Sequence, residues 1–391
     1  MKRFAAQYVI TNTGHPLKRA VVTTENDGTI LSVEDTRGNL KEEHSTVYYN
    51  GIIIPGFVNC HSHLELSHMK DSVPEQTGLG GFLEYIRNTR ENEREKIISR
   101  AFSADKSMYN EGIVLCADIC NTTDTFGIKK DSRIRYHNLL EVFGIDPEKA
   151  EKRMKEITTV SEMARKMDLI FSLVPHSVYS MSLTLLRILK NECRYNKLTS
   201  IHFMETSSEK TLLDDHSGQL MESYQRMGIL PEKLETAASH ETAVLNEVTR
   251  SGNLILVHAT YADRETIRAV KARSNLFWCL CPNSNLYIGN TLPPVSHLIK
   301  EGCDLVIGTD SLASNHKLSI LEELKTIQYN FPELSLVNLI SWATANGARA
   351  LGEEKLYGTI EPGKKPGLLV LENVDLQNMK LLPETTVTRL I

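Results

Sequence analysis

The spacing of apolar and polar positions changes once along the chain. Residues 1 to about 55 alternate short β-prone runs with turn residues: QYVITN, AVVTTENDGT, ILSVED and TVYYNG. This rhythm predicts a small antiparallel β unit. From GIIIPGFVNC onward, short apolar or β-branched runs alternate with longer helical patterns. The predicted strands are IIIPGFVNC, GIVLCADIC, RIRYHNLLEV, LIFSLVPH, LTSIHFME, NLILVHAT, NLFWCLCP and DLVIGTDS. Between most of them lie helical stretches such as PEKAEKRMKEITTVSEMARKM, SLTLLRILKNEC, ETAVLNEVTRSG and DRETIRAVKARS, and SILEELKTIQYN follows the last strand. Gly252 and Gly302 fall where helices should stop. Eight strands alternating with helices is the count of a (β/α)8 barrel. A doubly wound sheet is the rival, but no glycine-rich phosphate fingerprint follows any strand.

After the helical LISWATANGARALG, the tail YGTIEPGKKPGLLVLENVDL returns to turns and β runs. Neither chain end could bury a core alone, so the two are expected to pair. The predicted fold class is therefore α/β: a (β/α)8 TIM barrel over residues 56–345, with a small β-sandwich domain formed by residues 1–55 and 346–391. Residues 209–238 are polar and carry no strand, so they read as an excursion between the fifth strand and its helix.

Composition narrows the partners. Lys and Arg (44) nearly balance Asp and Glu (49), giving a net charge of −5 with the signs interspersed. No nucleic-acid or anionic-membrane partner is expected. No run approaches the roughly 18 apolar residues of a spanning helix, and MKRFAAQYVITNTG lacks the apolar core of a secretory leader. The seven cysteines are mostly in apolar strand-like segments, which predicts buried thiols in a reducing, cytoplasmic setting. Cys279 and Cys281 are read as strand residues rather than ligands.

The chemistry lies at strand ends. NCHSHLELSH places His61, His63 and His68 within eight positions, in a chain with 13 histidines. His61 and His63 follow strand one, His176 strand four, His202 and Glu205 strand five, His258 strand six and Asp310 strand eight. All sit at the same end of their strands, and in a barrel that end carries function. Residues spaced i, i+2 on a strand face one side, so His61 and His63 would converge as a transition-metal pair. His202 and Asp310, at equivalent strand ends, strengthen that reading. His68 is expected on a surface loop.

The segments PGFVNCHSHLE, VPHSVYS, IHFMETSSE, ILVHATY, CPNSNLYIG, VIGTDSLAS and GTIEPGKKPG, spread over residues 55–368, resemble the amidohydrolase superfamily. The similarity is to the branch of guanine, cytosine and adenosylhomocysteine deaminases and chlorohydrolases. HSHLELS and TDSLASNHKLSILEEL are most similar to aminodeoxyfutalosine deaminase-like sequences.

The resemblance implies a mononuclear site with His61, His63, His202 and Asp310 as ligands. Binuclear relatives carry a lysine after strand four, where this chain has His176. One divalent metal is thus expected, zinc foremost with iron as the alternative, leaving an open position for water. Asp310 would take that water's proton, Glu205 would shuttle a proton to a ring nitrogen, and His258 would orient the attacking oxygen.

Three residues are candidates for substrate contact. His176 would reach the ligand. Glu65 would either bind a ring or sugar donor or sit in a buried salt bridge. Asn285 would either read a polar group or brace its loop. Ser311 is expected to fix the Asp310 carboxylate. His216 and His240 bracket the polar excursion and would line a lid or lie on the surface. Many relatives have Ala-Asp where this chain has Pro366-Gly367, which marks a divergent subgroup. The implied activity is hydrolytic deamination of an aminated purine-like base or nucleoside by a homodimer. Ring-amide or C–Cl hydrolysis, and a metal- or ligand-binding barrel without turnover, are the alternatives.

Overall fold

The computed structural model describes residues 1–391 except 42, 44, 230–234, 236–238, 240 and 241. His240 and part of the 209–238 excursion therefore lie outside the described residues.

The chain ends do meet. Strands β1 (Lys2–Val9), β2 (Leu17–Lys18), β3 (Val21–Thr24), β4 (Ile30–Glu34) and β5 (Thr46–Pro55) join the last two strands, Leu368–Asp375 and Lys380–Arg389. Together they form one seven-stranded sheet, with Leu368–Asp375 pairing antiparallel to β5 and β5 parallel to β1. The run Ile52-Ile53-Ile54 is apolar at every position because both faces of the sheet are covered. Ile53, Leu368 and Val370 pack into the sheet's own core, whereas Ile52, Ile54, Leu369 and Leu371 join the main core of the molecule.

IIIPGFVNC, expected as one strand, is two. Gly56 separates β5 from β6 (Phe57–Ser62), and the two belong to different sheets. A Cβ on Gly56 would lie 2.4 Å from Val114 Cγ1 and 2.7 Å from the Pro366 carbonyl oxygen. Only glycine lets the chain pass from sheet to barrel there.

The barrel strands are β6, β7 (Ile113–Cys120), β8 (Arg135–Val142), β9 (Phe171–Pro175), β10 (Leu198–Phe203), β11 (Asn253–His258), β12 (Leu276–Leu280) and β13 (Asp304–Ile307). They form two parallel four-stranded sheets, β6-β7-β8-β9 and β10-β11-β12-β13. Parallel bridges Ser177↔His202 and Ser62↔Asp310 join the two sheets at both edges and close the ring. Val58, Leu115, Leu139, Val174, Val257 and Val306 pack inside, and Ala348 and Ala350 join that cluster. The helical stretch that follows Ile320–Asn330, running from Leu336–Ser341 through Gly347–Ala350, thus packs on the barrel past position 346, as far as Ala350.

Helices follow the strands as the spacing predicts. The described part of the polar excursion carries two helices, Ser207–Asp215, opened by a Thr206/Glu209 capping box, and Gly218–Arg226. Of the stretch ETAVLNEVTRSG, predicted as a helix, the described part forms only a π-type turn over Ala243–Glu247. Among the described residues, no helix is long and apolar enough to cross a membrane.

Candidate metal and acid–base centre

The hydrogen bonds that close the barrel run through the predicted site residues. The His202 N–H donates to the His176 carbonyl at 2.8 Å, and the Thr309 and Asp310 N–H groups donate to the His61 carbonyl at 2.9 and 3.1 Å. The same contacts that close the barrel therefore bring the predicted site residues together. Four residues at these strand ends have left-handed backbone: His258 (φ 75°), Asp310 (φ 57°), Ala259 (φ 51°) and Met204 (φ 47°). Such conformations cost free energy in non-glycine residues and persist where surrounding contacts over-determine them.

His61 and His63 converge, but not by simple strand alternation. Asn59 pairs with Cys116 and Ser62 with Asp118, so three steps on β6 match two on β7. This bulge re-aims the strand end. His63 lies just beyond β6, and its Nε2 comes 3.1 Å from that of His61. Asp310 Oδ1 is 3.4 Å from His63 Nε2 and 3.8 Å from His61 Nε2. The ligand atoms of His61, His63 and His202 all lie within 4.8 Å of one another. Ligands about 2.05 Å from a tetrahedral zinc stand roughly 3.3 Å apart. The donor set therefore fits one divalent cation.

Each donor is fixed from behind. His202 Nδ1 bonds the His176 carbonyl at 2.8 Å, which leaves Nε2 for the centre. Asp310 Oδ2 accepts from the Ser284 and Ser314 hydroxyls at 2.6 and 2.9 Å, and Oδ1 accepts from the Ser311 N–H at 2.8 Å. Ser311 thus fixes the carboxylate through its backbone, while its hydroxyl turns to Ser314 and the Ala313 N–H.

Burial keeps the imidazoles neutral. It depresses His63 to about 3 and drives His61 well below the ordinary histidine value, with neighbouring imidazoles adding to the effect on His61. His202 is lowered too, by burial first and then by His176. A neutral imidazole has the free lone pair a metal requires. Burial pushes the Asp310 carboxyl up, but His63, His258 and the Ser284 hydroxyl outweigh it and hold the group below its usual value.

Glu205 and His258, the candidate acid–base residues, stand beside these donors. His258 Nε2 lies 3.9 Å from Glu205 Oε1 and is buried without a hydrogen-bond partner among the described residues. Its Nδ1 meets Asn285 Nδ2 at 3.2 Å. Asn285 therefore braces His258, and its buried Oδ1 has no partner among the described residues. Glu205 is held by the Tyr179 hydroxyl at 3.4 Å, and its carboxyl is driven well above the ordinary range by burial, then by Glu209 and Asp310. His176 stacks on His202 with ring centres 4.6 Å apart, and its Nδ1 bonds the Ser180 hydroxyl at 2.7 Å.

Two expectations change. His68 is buried, not on a surface loop: its ring bonds the Glu65 carbonyl at 3.1 Å and the Arg90 carbonyl at 2.9 Å. The cause is a 3₁₀ turn over Leu64–Met69, buried throughout, which folds the strand-one exit inward. Glu65 takes the salt-bridge alternative. It pairs with Arg90, and it accepts from the Asn121 N–H and from the Thr122 N–H and hydroxyl at 3.1 to 3.2 Å. His216 is an exposed left-handed cap on the helix after β10.

Sequence reasoning passed over Glu141, the acidic residue near the end of β8. Its Oε1 lies 3.7 Å from His202 Nδ1, and burial raises its carboxyl to about 7. Applying the strand-end rule to the third strand would have found it. Tyr179, Ser284 and Ser314 carried no such signal.

Comparison with known proteins fits this geometry. The Amidohydrolase family model matches residues 52–389. The chain belongs to the amidohydrolase family. As a family member it is 25% identical over 398 residues to a 5-methylthioadenosine/S-adenosylhomocysteine deaminase of Pyrococcus abyssi, covering 96% of this chain and 85% of that protein. The crystal structure of Helicobacter pylori aminofutalosine deaminase in complex with methylthio-coformycin superposes with a TM-score of 0.77 at 22% identity, over 95% of this chain and 92% of that one. Atrazine chlorohydrolase TrzN from Arthrobacter aurescens, complexed with zinc, gives 0.72 at 19% identity, over 94% and 86%. This amidohydrolase shares their fold.

Proposed function

We propose that this amidohydrolase is a zinc-dependent aminohydrolase that replaces the exocyclic amino group of a purine-like base or nucleoside with oxygen. One observation carries the reading: a buried Glu205, its carboxyl pushed well up by burial, stands beside a His258 Nε2 with no hydrogen-bond partner among the described residues, next to His61, His63, His202 and Asp310. Merely holding a metal requires neither Glu205 nor His258.

A divalent cation held by His61, His63, His202 and Asp310 would lower the pKa of a water molecule to about 7. Asp310 Oδ1, facing both strand-one histidines, accepts the proton that water gives up. Glu205 donates its proton to the ring nitrogen beside the carbon under attack, which makes that carbon electrophilic. His258 Nε2 donates to the oxygen being added and steadies the charge that develops there. Asp310 then passes that proton to the departing amino group while Glu205 takes back a proton from the adduct's hydroxyl as the C=O bond forms; the C–N bond breaks, ammonia leaves, and both carboxyls return to their starting states. His176 and the Asn285 Oδ1 contact the remainder of the substrate.

The names of the similar proteins point to adenine nucleosides modified at the 5′ position, and the HSHLELS and TDSLASNHKLSILEEL segments favour aminodeoxyfutalosine among them. The test is an ammonia-release assay on the zinc-loaded protein with adenosine, methylthioadenosine, adenosylhomocysteine, aminodeoxyfutalosine and aminopurines. Ammonia from at least one of these supports the reading. Chloride release from a chlorinated heterocycle with no ammonia from any amine would reverse the leaving-group assignment. No turnover by metal-replete protein would overturn it.

A further inference from the structure

His61 and His63 are neighbours in the centre but are held in different ways. His61 is locked by the barrel seam, where the Thr309 and Asp310 N–H groups bond its carbonyl. His63 lies past the last residue of β6, with φ −130° and ψ 76°, outside regular strand geometry. Something else must fix its backbone.

The peptide after His63 is held at both ends. Its carbonyl accepts from the Leu66 N–H at 3.0 Å. Its N–H, on Leu64, donates to Asp118 Oδ1 at 2.8 Å. The other Asp118 oxygen meets Lys129 Nζ at 2.5 Å, and both side chains are fully buried. Lys129 Nζ also lies 2.8 Å from Cys120 Sγ. Lys129 comes from the helix Phe126–Asp131 and Asp118 from β7.

A fully buried ion pair is a poor stabiliser, since desolvating two charges cancels most of their attraction, and apolar replacements are often neutral. Stability alone therefore does not account for this one. Its geometry does: Lys129 aims one carboxylate oxygen, Asp118 aims the other at a single amide, and that amide sets ψ of His63. We propose that the Asp118–Lys129 pair is a clamp that positions His63 toward the shared metal centre. The inference rests on the metal reading given above.

The test measures zinc dissociation constants by competition with a chelating dye. Asp118→Ala with Lys129→Met removes the hydrogen bond and leaves no stranded charge. Asp118→Asn with Lys129→Met removes the charges but keeps an oxygen for the Leu64 amide. Losing an outer partner of a metal ligand typically costs about 10- to 100-fold in affinity. The clamp predicts a weakening of at least about 10-fold for the alanine pair and about 3-fold or less for the asparagine pair, with both folded by circular dichroism. If the alanine pair fails to fold, Asp118→Ser with Lys129→Met replaces it, because serine is too short to reach the amide. Equal zinc affinity in parent and alanine (or serine) pair would overturn the clamp alone. Equal weakening in the asparagine and alanine pairs would show that charge, not the hydrogen bond, matters, and would also overturn it. A parent that binds no divalent metal would instead overturn the metal reading.

Discussion

Glu205→Gln isolates proton transfer from everything else Glu205 does. Glutamine has the same shape and keeps an oxygen for the Tyr179 hydroxyl, 3.4 Å away in the parent. Burial already favours the neutral carboxyl, so an amide barely alters the local charge or the fold. Only the transferable proton is lost. A positioned acid or base contributes about 10²- to 10⁴-fold to a reaction. The structure argues for the upper part of that range. Glu205 is 6% exposed, so bulk water has little access, and His258, 3.9 Å away, is depressed to about 3 by burial and is no substitute acid. The expected loss in kcat is about 10³-fold or more, roughly 4 kcal/mol in the barrier. KM and zinc content should stay near parent, because Glu205 is not a metal donor. Steady-state ammonia release, with zinc measured on the same sample, is the assay. A metal-replete variant retaining kcat within threefold of parent would refute the acid–base assignment.

Three further outcomes follow from the same geometry. Chelation should lower the melting temperature and zinc should restore it, since ligand at about 1,000-fold over Kd adds roughly 4 kcal/mol to the folded state; a melting curve indifferent to zinc would count against the centre. Gly308→Ala should destabilise by about 1–3 kcal/mol and weaken zinc binding, because the new Cβ would stand 2.8 Å from both His61 Cβ and Cys279 Sγ; calorimetry and dye competition read the two effects. His137 bonds the Ser172 hydroxyl at 2.9 Å and is depressed to about 4 by burial, then by Arg135. The unfolded chain takes up that proton below about pH 6.5 while the native state resists until about 4, so this contribution is intact above 6.5 and lost as pH falls toward 4. It amounts to about 3 kcal/mol, and denaturation of His137→Gln across that range should show a shallower acid slope than parent.

The sequence by itself determined the fold class and pointed to the candidate metal donors. Apolar spacing marks strands and helices locally, and in a parallel barrel every strand ends at the same face. The polar residue that closes each apolar run therefore announces its own position, as His202, His258 and Asp310 do. Tertiary structure decided what stands behind those residues. Ser284 on Asp310, Arg90 on Glu65 and Lys129 on Asp118 join positions between 11 and 26 residues apart, and no periodicity links them. The split of IIIPGFVNC at Gly56 and the inward turn of His68 were hidden for the same reason. An apolar run does not say which sheet will cover it, and a histidine in a polar stretch looks exposed until the chain folds back over it. Local spacing records which side of an element is buried; which partner lies on the other side is set only when distant segments pack together.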